Sequence, residues 1–68
     1  MNEDVLNNSV RRFLKTVGVT SQREIEKAVR AAVADGRLKG NETLAAKITL
    51  TLGTLNLSHT VDGAIELE

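Results

Sequence analysis

The hydrophobic period of this chain changes once along its length, and that change decides which elements it can hold. Up to Gly36 the apolar residues recur at the i, i+3, i+4, i+7 spacing of a helix face. Beyond the loop signal Lys39, Gly40, Asn41 and Glu42 they alternate, with Ile48, Leu50 and Leu52 set against Lys47, Thr49 and Thr51. Helices followed by strands within 68 residues imply one small α+β domain spanning the whole chain.

The helical part reads as two helices. Asn2 stands as N-cap of the first, over residues 3–17, with Glu3 and Asp4 favourably placed against the positive end of its dipole. Gly18 ends it, and its core stripe is Leu6, Val10, Phe13, Leu14 and Val17, with Val5 off the stripe. Ser21 and Glu24 have the spacing of a capping box, so a second helix is expected over residues 22–35, closed by Gly36 at C′. Its buried stripe is Ile25, Ala28, Val29, Ala32 and Val33. A link of about four residues makes the two helices sequential neighbours.

The alternating part reads as a three-stranded antiparallel meander over residues 44–52, 55–60 and 64–67. A two-residue type II′ turn at Gly53 and Thr54 pairs Leu52 with Leu55 and Leu50 with Leu57, so that apolar residues meet on one face. A second turn at Val61, Asp62 and Gly63, with Gly63 left-handed, pairs His59 with Ile65 and Leu57 with Leu67. The predicted architecture is ααβββ, two amphipathic helices packed on one apolar sheet face.

Composition removes several kinds of chemistry. With no cysteine there are no disulfides, thiolate metal sites or redox thiols. Phe13 is the single aromatic residue, so the stacking platforms that hold single-stranded nucleic acid cannot be assembled. The longest apolar run is Ala31-Ala32-Val33-Ala34, far short of the ~20 residues of a membrane span. The opening Asn2-Glu3-Asp4 does not read as a secretory signal, and the chain is taken as soluble and cytoplasmic.

His59 is the sole histidine, and alternation puts it on the core side of the middle strand while Ser58 points to the opposite face. No Ser58–His59 dyad can form, and the imidazole reads as a neutral side chain at the margin of the core. Glu24 and Glu26 lie about 200° apart at roughly 100° per residue, too far for paired acid–base work, whereas Glu26 and Arg30 have the spacing of a surface ion pair. The glycines have neither P-loop nor dinucleotide spacing and read as helix ends and turns. No catalytic, cofactor or metal residues are expected, and the chain is read as a non-enzyme.

Net charge is zero but unevenly placed, since residues 1–40 carry eight Lys/Arg and five Asp/Glu while residues 41–68 carry one and four. Arg11, Arg12 and Lys15 on the first helix, and Arg23, Lys27 and Arg30 on the second, lie opposite the apolar stripes. They are the candidate surface for an anionic partner. The leading expectation is a protein-interaction or structural domain acting with an unknown protein partner or as a homodimer. The alternative is a nucleic-acid-binding module using those six cations.

Two resemblances accompany this reading. The stretch Val19-Thr20-Ser21-Gln22-Arg23-Glu24-Ile25-Glu26-Lys27-Ala28-Val29, with Gly40-Asn41-Glu42-Thr43-Leu44 and the ending Val61-Asp62-Gly63-Ala64-Ile65-Glu66-Leu67, resembles a family of short bacterial proteins known as a domain of unknown function. That resemblance implies a small free-standing bacterial protein and transfers no activity or site. Residues 20–38 followed by a hairpin are also similar to the recognition helix and wing of winged-helix DNA-binding proteins, with one helix rather than two before them.

Overall fold

The computed structural model describes all 68 residues. Its elements are one α-helix, α1, over Glu3–Ala34, a strand β1 over Thr43–Leu52, a single 3₁₀ turn at Gly53–Leu55, and a strand β2 over Leu57–Glu66. The class is α+β, but two helices over three strands do not form. The chain divides into two compact units, Met1–Arg37 and Leu38–Glu68.

In the first unit the two expected helices are one continuous helix of 32 residues. Its start follows the sequence signal, with Asn2 Oδ1 accepting the backbone N–H of Asp4 at 3.0 Å and of Val5 at 3.2 Å. Its end does too, since Gly36 is left-handed at φ 84° and its N–H reaches the Val33 carbonyl at 3.2 Å. The break at Gly18 is what fails. A glycine inside a helix costs about 1 kcal/mol relative to alanine, whereas ending one helix and starting another there strands four carbonyls and four N–H groups. Continuing is cheaper. Thr16 and Thr20 turn their hydroxyls inward, donating to the carbonyls of Arg12 at 3.1 Å and Thr16 at 2.7 Å, so these polar residues are satisfied without leaving the helix. Ser21 is mid-helix and caps nothing.

The stripes expected to be core are mostly not. Leu6, Val10, Phe13 and Leu14 are exposed, Val17 and Val29 are half-buried, and Ala32 alone is buried, at 8%. Val5 is exposed, as its position off the stripe suggests.

The second unit is an antiparallel hairpin, not a meander. Ten residue pairs run from Thr43 opposite Glu66 to Leu52 opposite Leu57, and the Leu67 N–H extends the ladder to the Glu42 carbonyl at 3.0 Å. The connection is four residues, 53–56, closed by the Asn56 N–H on the Gly53 carbonyl at 3.2 Å, with Asn56 itself left-handed at φ 52°. The predicted two-residue turn pairs Leu50 with Leu57; the observed ladder pairs Leu50 with His59. This slip of two residues keeps every side chain on its face, so alternation alone cannot detect it.

The second predicted turn is absent. Gly63 lies in the ladder opposite Ala46 with no positive φ, and Val61 and Asp62 sit opposite Ile48 and Lys47. Once the first connection takes four residues, all of 57–66 finds a partner in β1. Turning at 61–63 would give up those pairs, a charge-complementary one among them.

Candidate functional site

A continuous α1 puts both basic triplets on one element. At roughly 100° per residue Arg11, Arg12, Lys15, Arg23, Lys27 and Arg30 fall within about 160° of arc, opposite the apolar stripe, along about 28 Å of helix. All six are exposed. Glu26 lies inside the arc and pairs with Arg30 at 3.0 Å, the ion pair its spacing suggests, with exposed geometry that limits its worth to about 0.3–0.5 kcal/mol. The remaining five cations have no carboxylate within ion-pair distance.

The apolar side of the same helix presents Leu6, Val10, Phe13 and Leu14, with Phe13 57% exposed. A lone helix has nothing with which to cover such a stripe. The hairpin repeats the situation. One face collects Leu44, Ile48, Leu50 and Leu52 with Leu57, His59, Val61 and Ile65, while the other carries Lys47, Thr49 and Thr51 with Ser58, Thr60 and Asp62. On the polar face the Thr49 and Thr60 hydroxyls approach to 3.4 Å. On the apolar face Ile48, Leu52, Leu57 and Val61 are exposed.

His59 shares the apolar face and sits opposite Leu50, with Ser58 on the polar face opposite Thr51, so no nucleophile lies beside the imidazole. Glu24 has no ion-pair partner. No three His, Asp or Glu side chains converge as a metal site. A shallow open depression over the first turns of α1, lined by Glu3, Asp4, Leu6, Asn7 and Val10, holds no convergent set of donors.

One polar arrangement escapes a reading based on periodicity. Glu42 turns its carboxylate back on the preceding loop and accepts the backbone N–H groups of Lys39 at 2.9 Å, Gly40 at 2.9 Å and Asn41 at 3.1 Å. These donors, that of Lys39 foremost, hold its pKa below the ordinary glutamate value. Gly40 is left-handed at φ 102°, which lets three successive N–H groups converge. The visible signal was a glycine two residues before an acid. The nest is already filled by the chain's own carboxylate and is a structural clasp. At the helix end Asp35 is held similarly, its carboxylate accepting Arg37 Nε at 2.9 Å and the Arg37 N–H at 3.2 Å, which lowers its pKa.

These features define a small α+β protein, one long amphipathic helix and one amphipathic hairpin, whose distinguishing surfaces are apolar faces and a basic arc. No helix is long and apolar enough to cross a membrane. The chain belongs to a family of unknown function, DUF6494, which it matches over residues 1–68. No curated protein and no solved structure matches it.

Proposed function

We propose that this chain is a non-enzymatic interaction module that lays its apolar helix stripe and hairpin face against another polypeptide. The observation that carries the reading is the exposure of large apolar side chains in contiguous rows, Leu6, Val10, Phe13 and Leu14 on α1 and Ile48, Leu52, Leu57 and Val61 on the hairpin. Rows of this kind mark association surfaces, whereas singly scattered apolar residues do not. The separation of Ser58 from His59 and of Glu24 from Glu26 supports a role without chemistry. A cytoplasmic, bacterial setting rests on the family resemblance and on stability that owes nothing to disulfides.

The test is affinity capture with the purified chain as bait beside its Phe13→Asp and Val61→Asp variants. A partner, whether a second copy or another protein, retained by the wild type and lost by a variant is the expected result. Indistinguishable capture by all three baits overturns the reading.

The exposed cationic arc favours a second reading, a nucleic-acid-binding module. It requires salt-dependent binding to duplex DNA or RNA that weakens when Arg23, Lys27 and Arg30 are changed together to Gln. No anisotropy change in a low-salt titration removes it.

A further inference from the structure

We infer that the basic arc of α1 straddles the major groove of duplex DNA, with Arg11, Arg12 and Lys15 on one phosphate ridge and Arg23, Lys27 and Arg30 on the other; this rests on the nucleic-acid reading above and names its substrate. The cations are not spread evenly along the helix. No charged residue of either sign lies between Lys15 and Arg23. At 1.5 Å per residue that interval is about 12 Å, and the centres of the two triplets are about 21 Å apart.

The middle of the arc is uncharged and low. Val19 stands midway between Lys15 and Arg23 along the axis, and at roughly 100° per residue it falls at the centre of the arc. Thr16 and Gln22 share this outward strip, and the Thr16 hydroxyl is turned inward to the Arg12 carbonyl at 3.1 Å. The arc is therefore two groups of long cationic side chains with a strip of mostly short, uncharged ones between them.

A ligand that fits this profile presents two anionic ridges with no charge between them. In duplex DNA the phosphate ridges border a major groove about 12 Å wide and a minor groove about 6 Å wide, so the uncharged interval spans the first and overshoots the second. A single strand has only one line of phosphates, and an RNA duplex closes its major groove to a narrow slot. Charge favours the same contact. Five of the six cations have no carboxylate within ion-pair distance, and Glu26 engages only Nη2 of Arg30. Asp4 is about 10 Å along the axis from Arg11, and Glu24 lies on the opposite side of the helix. With Glu26 offsetting one cation, the arc can neutralise about five phosphates. Because the arc is opposite the apolar stripe, DNA on one side leaves the other open to a polypeptide.

The experiment is an anisotropy titration of the full chain against a labelled 20-base-pair DNA duplex over a salt series. Neutralising about five phosphates predicts a slope of log K against log salt of about −4.5. Changing either triplet to Gln is expected to flatten the slope to about −2 and to weaken low-salt binding at least about tenfold. A variant that repeats residues 16–22 in tandem tests the spacing alone. It adds about two turns, keeps every charge on the same face and widens the interval to about 22 Å. Its binding is expected to fall as in the triplet variants, at unchanged net charge, with the helix checked by far-UV circular dichroism. If the repeat disrupts the helix, the preference of the wild type decides, at least about fivefold for duplex DNA over an RNA duplex or single strand of the same sequence. Undiminished binding by a helical repeat variant, loss in only one of the two triplet variants, or equal affinity for RNA or single strands overturns the straddle and leaves the nucleic-acid reading standing. Binding to none of them at low salt ends both.

Discussion

Two carboxylates hold the chain where it leaves the helix and enters the hairpin. Glu42 accepts three consecutive N–H groups, and Asp35 accepts the side chain and backbone of Arg37. Both pKa values are lowered, Glu42 from an ordinary 4.5 by the Lys39 and Gly40 N–H groups and Asp35 from 3.8 by the Arg37 side chain. A folded pKa below the unfolded one means that each group stabilises the fold above its ordinary pKa. That contribution is lost as pH falls through the lowered value. The amide resonances of Lys39, Gly40 and Asn41 are therefore expected to titrate together with a midpoint below 4.5, and in Glu42→Gln this step disappears from all three. An NMR pH titration of the full chain checks it. A midpoint at or above 4.5 means that the clasp is open in solution. The sequence carries only the faint signal of Gly40 two residues before Glu42, because a side chain returning to its own loop has no periodicity and Glu42 looks like any charged residue beside a turn.

Among the elements, the hairpin shows how far alternation reaches. It correctly assigned Leu50, Leu52, Leu57 and His59 to one face, because a strand's side-chain period is two and any even slip preserves it, whereas Val61, expected in a turn, joins that face in the ladder. It could not choose between a two-residue connection and the observed four, since both conserve parity, and the choice falls to Asn56, whose φ of 52° is a conformation that asparagine tolerates better than most residues. Changing Asn56 to Ala is expected to cost about 1 kcal/mol of hairpin stability, while Asn56→Gly should be neutral or mildly favourable. Thermal melts followed by the cross-strand Leu52–Leu57 NOE measure both, and equal stability of Ala and Gly would show that the left-handed residue does not govern the connection. In the helix the terminal signals at Asn2 and Gly36 were readable because caps are local chemistry. The internal stop at Gly18 misled for the complementary reason. A glycine or an S-x-x-E pattern marks a boundary only if the chain gains by ending there, and here the orphaned backbone groups of two new termini outweigh the propensity loss of residues 18–21.

For the molecule as a whole, the sequence pattern correctly located apolar faces and could not say what would cover them. A stripe such as Leu6, Val10, Phe13 and Leu14 has the same periodicity whether it lies against its own chain or another, so core and interface are indistinguishable in one sequence. In the structure the stripe lies open, with Phe13 57% exposed and Ala32 alone among the apolar residues buried. A chain of 68 residues with that little burial has small stability of its own, because ordering each residue costs about 1–2 kcal/mol in backbone entropy. Folding and association should then be one equilibrium. If two copies unfold together, a tenfold rise in concentration adds about 1.4 kcal/mol to the stability of the pair, and for a pair of this size that raises the melting midpoint by about 5 °C. Melts at a series of concentrations, followed by far-UV circular dichroism, are expected to show this rise in the wild type. In Phe13→Asp the midpoint should fall, or helical signal should be lost at the lower concentrations. A midpoint independent of concentration, with helix content intact, would mean that α1 persists unaccompanied, and the exposed stripe would then have to serve a partner other than a second copy.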